Sequence, residues 1–287
     1  MSVVQIANGA VPAVARRAAK RDWVFRIALI VFGVIAVLAA IGPWIAPYDP
    51  TELYVGPVNG ASSLAHPLGT DDVGRDILSR VLVGAGASVF APIGVVLLST
   101  LAGVALALAA AWFGGWVSGG IARLIDVIFA IPGIVIAVLA VAVFGKGLLA
   151  PVVALSIAYI PVVARLVRTA ASRELGKPYT AALRVQGVSS PAICFRHLVP
   201  ALVPVVAAQT AIGFGYAMLD LSAISYLGLG QQPPAPDWGS MIAAGQAGLL
   251  SGAFEQSVYP AILVVVTVLA VGVIGARVTT WAEEKER

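Results

Sequence analysis

Residues 178–200 read PYTAALRVQGVSSPAICFRHLVP, a short stretch of polar and small residues between two long apolar runs. Gly187 sits in its middle, and Phe195, Arg196 and His197 lead into the second run. A plain linker between apolar helices has no need of a helix-like segment at this point. A surface on which another protein docks does need one. The apolar runs on either side decide the fold class.

Sixty per cent of the 287 residues are hydrophobic and only 11% are charged, with a mean hydropathy of +0.96. A water-soluble domain carries about 25% charged residues. The charges are clumped, leaving residues 27–48, 81–122, 127–145, 147–164, 198–219 and 256–276 free of Asp, Glu, Lys and Arg. A membrane span needs about 20 apolar residues to cross a hydrocarbon core roughly 30 Å thick. The long run 81–122 is broken by Gly114-Gly115 and Gly119-Gly120, so it holds one span and most of the next. Only Lys146 separates the following two runs, which predicts a tight hairpin. Six spans are expected, near 26–46, 87–111, 121–144, 148–168, 198–222 and 258–279, giving an all-α polytopic membrane protein. Prolines inside them (Pro92, Pro132, Pro161, Pro204) are tolerated where neighbouring helices or water satisfy the freed backbone groups.

Lysine and arginine placement sets the orientation, because cytoplasmic loops hold the positive charge. With both termini inside, 15 of the 18 basic residues are cytoplasmic and only Arg75, Arg80 and Lys146 are outside. This predicts an N-in, C-in topology with segment 178–200 in the cytoplasm. The net charge of +4 is then the bias toward an anionic membrane face, and no nucleic-acid partner is implied. Residues 1–20 are expected to be a mobile basic tail. The first apolar run is too long for a signal peptide, and Trp44-Ile45-Ala46-Pro47 is no cleavage site, so it is expected to stay as a span. One cysteine, Cys194, and two histidines, His66 and His197, allow neither an internal disulfide nor a metal cluster.

Two segments are expected outside. In 47–86, Gly69 and Gly74 suit tight turns, and Asp71 is placed to cap a helix beginning near Asp72. In 223–257, a proline-rich stretch is followed by an uncharged run, 240–254, read as an interfacial or re-entrant helix. Both segments read either as ordered loops sealing the outer mouth or as ligand contacts. Intramembrane charge usually marks an ion or proton path. The candidates are Asp126, one turn from Arg123, and Asp220 near the outer end of the fifth span, either of which also reads as an interface-level acid. No further buried Lys, Glu or His supports proton coupling. No paired acids, HExxH, GxSxG or GxxxxGK[ST] motif occurs, so neither catalysis nor ATP binding by this chain is expected.

The run HPLGTDDVGRDILSR at 66–80, the loop 178–200, and SYLGLG at 225–230 followed by Asp237-Trp238-Gly239-Ser240-Met241 together carry a resemblance. The chain resembles the DppC/OppC-type permeases of the dipeptide/oligopeptide/nickel family of ABC importers over nearly all of residues 20–281. In that family the loop reads roughly YxEAAxxxG, then FRHxLPN. Tyr179, Ala182, Arg184, Gly187, Phe195, Arg196, His197 and Pro200 match it. Ala181 stands in place of the acid, Leu183 in place of an alanine, and Ala201 in place of the asparagine.

The resemblance implies a bacterial inner-membrane permease subunit that couples to a cytoplasmic ATPase through Tyr179, Ala181, Ala182, Arg184, Gly187, Phe195, Arg196 and His197. It marks Gly69, Thr70, Asp71, Gly74, Arg75, Asp76, Gly228, Asp237, Trp238 and Gly239 as motif positions on the outer side. The implied partners are a homologous second permease, one or two ABC ATPase subunits that hold the ATP and Mg, and an extracytoplasmic solute-binding protein. The division that follows is a tail at 1–25, a first span at 26–46, an outer loop at 47–86, and a permease core at 87–281 ending in a tail at 282–287. The core contains the coupling loop 170–197 and the outer segment 223–257. Di- or oligopeptides are the implied cargo, with nickel chelates, glutathione or another small solute as alternatives. A secondary ion-coupled carrier would show two inverted halves and midplane charge instead, and an intramembrane enzyme a catalytic cluster.

Overall fold

In a computed structural model that describes residues 11–286, every regular element is a helix. The first ten residues of the expected basic tail, and Arg287, lie outside the described residues. The helices are α1 (Val11–Ile45), α2 (Ile77–Phe113), α3 (Gly115–Phe129), α4 (Gly133–Phe144), α5 (Leu149–Leu175), α6 (Pro178–Val185), α7 (Ser190–Ile193), α8 (Val199–Tyr226), α9 (Trp238–Ala244), α10 (Gln246–Ser251) and α11 (Glu255–Glu286). A π-helical turn, Cys194–Leu198, joins α7 to α8. Among the described residues the only β pairing is an isolated bridge between Thr70 and Asp76.

Five helices are long and apolar enough to cross a membrane, and six when the bent pair α3–α4 counts as one span. The expected third span is thus broken: α3 and α4 meet at 79° across Ala130, Ile131 and Pro132. Pro132 lacks an N–H and disfavours helical backbone at the residue before it, so α3 stops there and α4 starts on the extended Pro132 (ψ 132°). Gly114 ends α2 as the run 81–122 suggested; its φ of +56° is a conformation that favours glycine.

The long helices run alternately between two ends. Residues 46–76, the α4–α5 hairpin and the segment 227–254 gather at one, the capped end. The segment 176–198, the α2–α3 corner and the C-terminal part of α11 gather at the other, the elbow end. α2 packs most extensively on α5, and α11 on α8, with α1 against both α2 and α11. Small residues make these approaches close: at Gly103 of α2 even a methyl group would lie 2.7 Å from Cβ of Val163 on α5. The main core unites Val89 and Val95 of α2, Leu155 of α5, Met218 and Ile224 of α8, and Trp238 and Met241 of α9. The outer faces of the long helices carry exposed Ile30, Val34, Leu101, Leu219 and Leu269, as a chain surrounded by lipid requires.

Candidate functional site

At the elbow end, α6 is built as an isolated, rigid two-turn helix. Lys177 is extended and Pro178 occupies the first helical position, where its missing N–H costs nothing. The buried Thr180 hydroxyl returns to the carbonyls of Leu175 and Lys177, both at 2.7 Å, and ties the first turn to the end of α5. Tyr179 Oη donates to Glu174 Oε1 at 2.7 Å, while Lys177 Nζ pairs with Glu174 Oε2 at 2.6 Å. Partial burial and the hydrogen bond to Glu174 push the Tyr179 phenol up to about 12.

The helix ends in a Schellman turn. The Val188 N–H bonds the Leu183 carbonyl at 3.0 Å, the Gly187 N–H bonds the Arg184 carbonyl at 3.1 Å, and Gly187 has a φ of +78°. Around Gly187 the space is open, with no heavy atom within 4 Å of where a Cβ would stand. Glycine is therefore required there by backbone conformation and not by crowding.

Beyond the turn, α7, the π turn and α8 form one long rod, Ser190–Tyr226. The π turn lies directly before Pro200. A proline ring clashes with the carbonyl four residues back, which is Arg196 inside the widened turn, so the wider turn accommodates it. Cys194 and Leu198 point inward into a cluster with Val163 and Val167 of α5, and Ile193 is buried as well.

Outward, the same segments present a continuous apolar and basic surface. Tyr179 (38% exposed), Val185 (88%) and Phe195 (73%) stand out beside exposed Ala181, Ala182, Arg184 and Arg196. His197 lies near Tyr179, ring centres 6.3 Å apart. All eight residues singled out in the loop therefore share one end of the molecule. A cleft of about 190 Å³, lined by Trp112, Arg184, Ser190 and Ile193 among others, runs beneath them.

At the capped end the motif residues face inward. Asp71 is fully buried and accepts the Arg75 N–H at 2.9 Å and Arg75 Nε at 2.6 Å; Arg80 Nε lies 3.4 Å away. The helix cap expected at Asp71 is instead made by Asp76: α2 starts at Ile77, and Asp76 Oδ2 accepts from Ser79 N and Oγ at 2.8 and 2.6 Å. The other Asp76 oxygen is 3.0 Å from His66 Nδ1. Gly69 and Gly74 have φ of +79° and +73°, and Thr70 Oγ1 takes the Gly60 N–H at 2.9 Å.

The second outer motif closes on the first. Asp237 caps α9, as its Oδ1 accepts from the N–H groups of Gly239 and Ser240. Trp238, 1% exposed, donates Nε1 to the Val81 carbonyl at 3.0 Å, and its N–H bonds Ser88 Oγ at 2.9 Å. Gln256 of α11 reaches Asp72 at 3.1 Å, and Gly228 turns the chain out of α8 with a φ of +74°. Segment 240–254, expected as one helix, is two short ones, α9 and α10.

Several contacts carried no signal in the sequence. Asp126 pairs with Arg165 at 2.6 Å, not with Arg123, and Arg165 also lies over the Phe129 ring. Tyr159 Oη donates to Asp220 at 2.8 Å across 61 residues. The Glu174–Tyr179 bond joins the end of α5 to the start of α6 across the extended Lys177, so no helical spacing marks it.

Residues 99–287 match the family model described as binding-protein-dependent transport system inner membrane component, and residues 13–66 match that of the N-terminal TM domain of oligopeptide transport permease C. The chain is 36% identical over 261 residues to the glutathione transport system permease protein GsiD of Escherichia coli O157:H7, covering 91% of this chain and 86% of that one. It is 34% identical over 248 residues to the di/tripeptide transport system permease protein DppC of Pseudomonas aeruginosa (strain UCBPP-PA14), covering 84% and 81%. Among solved structures, an inward-facing MetNI methionine ABC transporter chain matches with a TM-score of 0.56 at 16% identity, over 71% of this chain and 96% of that one. That last likeness is one of fold.

Proposed function

This chain belongs to the family of binding-protein-dependent transport system inner membrane components, and from that premise we propose how it works within an ABC importer. As a permease subunit it sits in the bacterial inner membrane. In our reading it forms half of one translocation path, the other half coming from a homologous second permease. ATP and Mg are held and turned over by ATPase subunits beneath the elbow end, while an extracytoplasmic binding protein delivers solute at the capped end. The solute class we propose is a small peptide or glutathione, in line with the names of the relatives.

The observation that carries the reading is α6. It is pinned to α5 through Thr180 and Glu174, and it is joined to the rod of α8 through the Gly187 turn, with Val185 and Phe195 exposed. A short rigid helix fixed at both ends to long helices would pass a rigid-body push from an ATPase into the membrane. With 15 of 18 basic residues on the elbow side of the expected topology, that end belongs in the cytoplasm.

Reconstitution tests both parts. The purified chain alone should hydrolyse no ATP. The complete assembly in proteoliposomes should take up glutathione or a tripeptide only with ATP and loaded binding protein. Turnover by the isolated polypeptide, or uptake driven by an ion gradient without ATP, would refute the assignment. For orientation, an impermeant thiol reagent added outside should label Asn59→Cys and spare Ser172→Cys, both positions being exposed.

A further inference from the structure

Midway along the long helices, a cavity of about 370 Å³ opens between α2, α5 and α8. Ser99, Tyr159, Gln209 and Tyr216 supply polar groups to a wall otherwise made of Val96, Val162, Val163, Ile212 and Gly213. On α8 the positions 209, 213, 216 and 220 are spaced by four, three and four residues, which puts them in one stripe along a single face. Asp220 closes the stripe one turn beyond Tyr216, and its Oδ2 accepts the Tyr159 hydroxyl at 2.8 Å.

A half-buried carboxylate in a membrane-spanning helix is costly unless something answers its charge. Here one phenol does so in part. No ion pair among the described residues includes Asp220, and a carboxylate has lone pairs to spare after one hydrogen bond. The Tyr216 ring is 63% exposed beside it. A carboxylate, two phenol rings and an amide oxygen around a recess form the chemistry that receives an ammonium group, through charge, hydrogen bonds and ring faces together. The recess is also within the size range of small-molecule sites, roughly 300–1,000 Å³, whereas a flat contact with another helix would leave no such space.

We propose that Asp220 and Tyr159, with Tyr216 and Gln209, form a waypoint in the translocation path that takes the ammonium group of a passing solute. The proposal rests on the permease reading above, and deepens it: free peptides and glutathione both carry an α-ammonium group. The Tyr159 hydroxyl, part of the recess wall, holds the Asp220 carboxylate next to it, and the apolar remainder of the wall leaves the rest of the solute free to move on.

The test is made on the complete transporter in proteoliposomes, with Cys194→Ala removing the native thiol and Ile212→Cys placing a reporter in the cavity wall. Two methanethiosulfonate reagents are compared, one bearing a trimethylammonium and one a sulfonate, each rate divided by that for a free thiol. The cationic reagent should be favoured at least fivefold. Asp220→Asn should abolish that preference and Asp220→Glu should keep it. An unchanged preference in Asp220→Asn overturns the proposal. So does a cysteine that neither reagent reaches, because the face would then be covered by the second permease. Should Asp220→Asn fail to assemble, a preference lost in Asp220→Glu overturns it equally. A reporter assembly with Asp220 intact that shows the cation preference, beside a wild-type assembly with no ATP-driven uptake, would count against the importer reading and leave this site standing.

Discussion

The two ends of this molecule carry sequence motifs of similar sharpness and use them in opposite ways. At the capped end, Asp71, Asp76, Asp237 and Trp238 are at most 3% exposed and every one is bonded within the chain. At the elbow end, Ala181, Ala182, Arg184, Phe195 and Arg196 are exposed, and what is bonded inward is the frame around them: Thr180, Glu174 and the Schellman turn. The capped end is a clasp that draws the N-terminus of α2 against α9 and α11. The elbow end leaves its motif side chains open. A residue's recurrence in a motif therefore does not say whether it serves the fold or a partner. The direction its side chain faces does.

That contrast is broken most forcefully at Asp71. Its carboxylate answers Arg75 and lies 3.4 Å from Arg80, whose side chains are only 12% and 6% exposed. Removing one partner of a buried charge cluster typically costs about 3–5 kcal/mol. Asp71→Ala should therefore sharply lower the thermal unfolding midpoint in detergent, and the yield of folded chain with it. Near-wild-type melting would mean that the clasp is solvated and that the capped end, too, is a surface for others.

Gly187 comes next and sharpens the other side. A φ of +78° in open space makes the cost one of backbone strain, on the order of 1–3 kcal/mol for a residue that resists this conformation. Gly187→Val should leave insertion and yield near normal, while uptake by the assembled transporter falls at least tenfold and stimulation of ATP hydrolysis by loaded binding protein is lost. Gly187→Asn should recover much of both, because asparagine enters the left-handed region more readily than other side chains. Equal damage from Val and Asn would point to a partner packed against this glycine instead of a strained turn.

Much of this was open to reading from the sequence, for a physical reason. The bilayer excludes charge, so the charge-free runs mark the long helices, and a membrane's tolerance for few backbone geometries makes them helices. Pro132-Gly133 breaks the third expected span, while Pro92, Pro161 and Pro204, which look no different in the sequence, are absorbed inside α2, α5 and α8. Whether a proline bends a helix depends on what packs beside it. A cap at Asp71 fits the local sequence, but Arg75 and Arg80 claim that carboxylate, and α2 starts later, at Ile77, on the cap made by Asp76. The Tyr159–Asp220 bond joins two helices and leaves no local pattern at all.

The smallest effect expected is at Arg184, and its smallness is informative. The side chain is exposed in the last turn of α6 and forms none of the ion pairs among the described residues. A cation there interacts favourably with the helix C-terminus, typically by about 0.3–1 kcal/mol and less once screened by salt. α6 keeps Pro178, Thr180 and the Gly187 turn when that charge is removed, so its shape survives. If the ATPase reads α6 by shape, through Tyr179, Val185 and Phe195, Arg184→Ala should change uptake by no more than about twofold, a free-energy change of about 0.4 kcal/mol. If it reads charge, Arg184→Ala should approach the damage of Gly187→Val, and added salt, which screens the contact, should lower uptake by the wild type toward that of Arg184→Ala. Measuring both variants in one reconstituted preparation, at low and at physiological ionic strength, separates a rigid wedge from an electrostatic contact. The open, apolar face at Val185 and Phe195 favours the wedge.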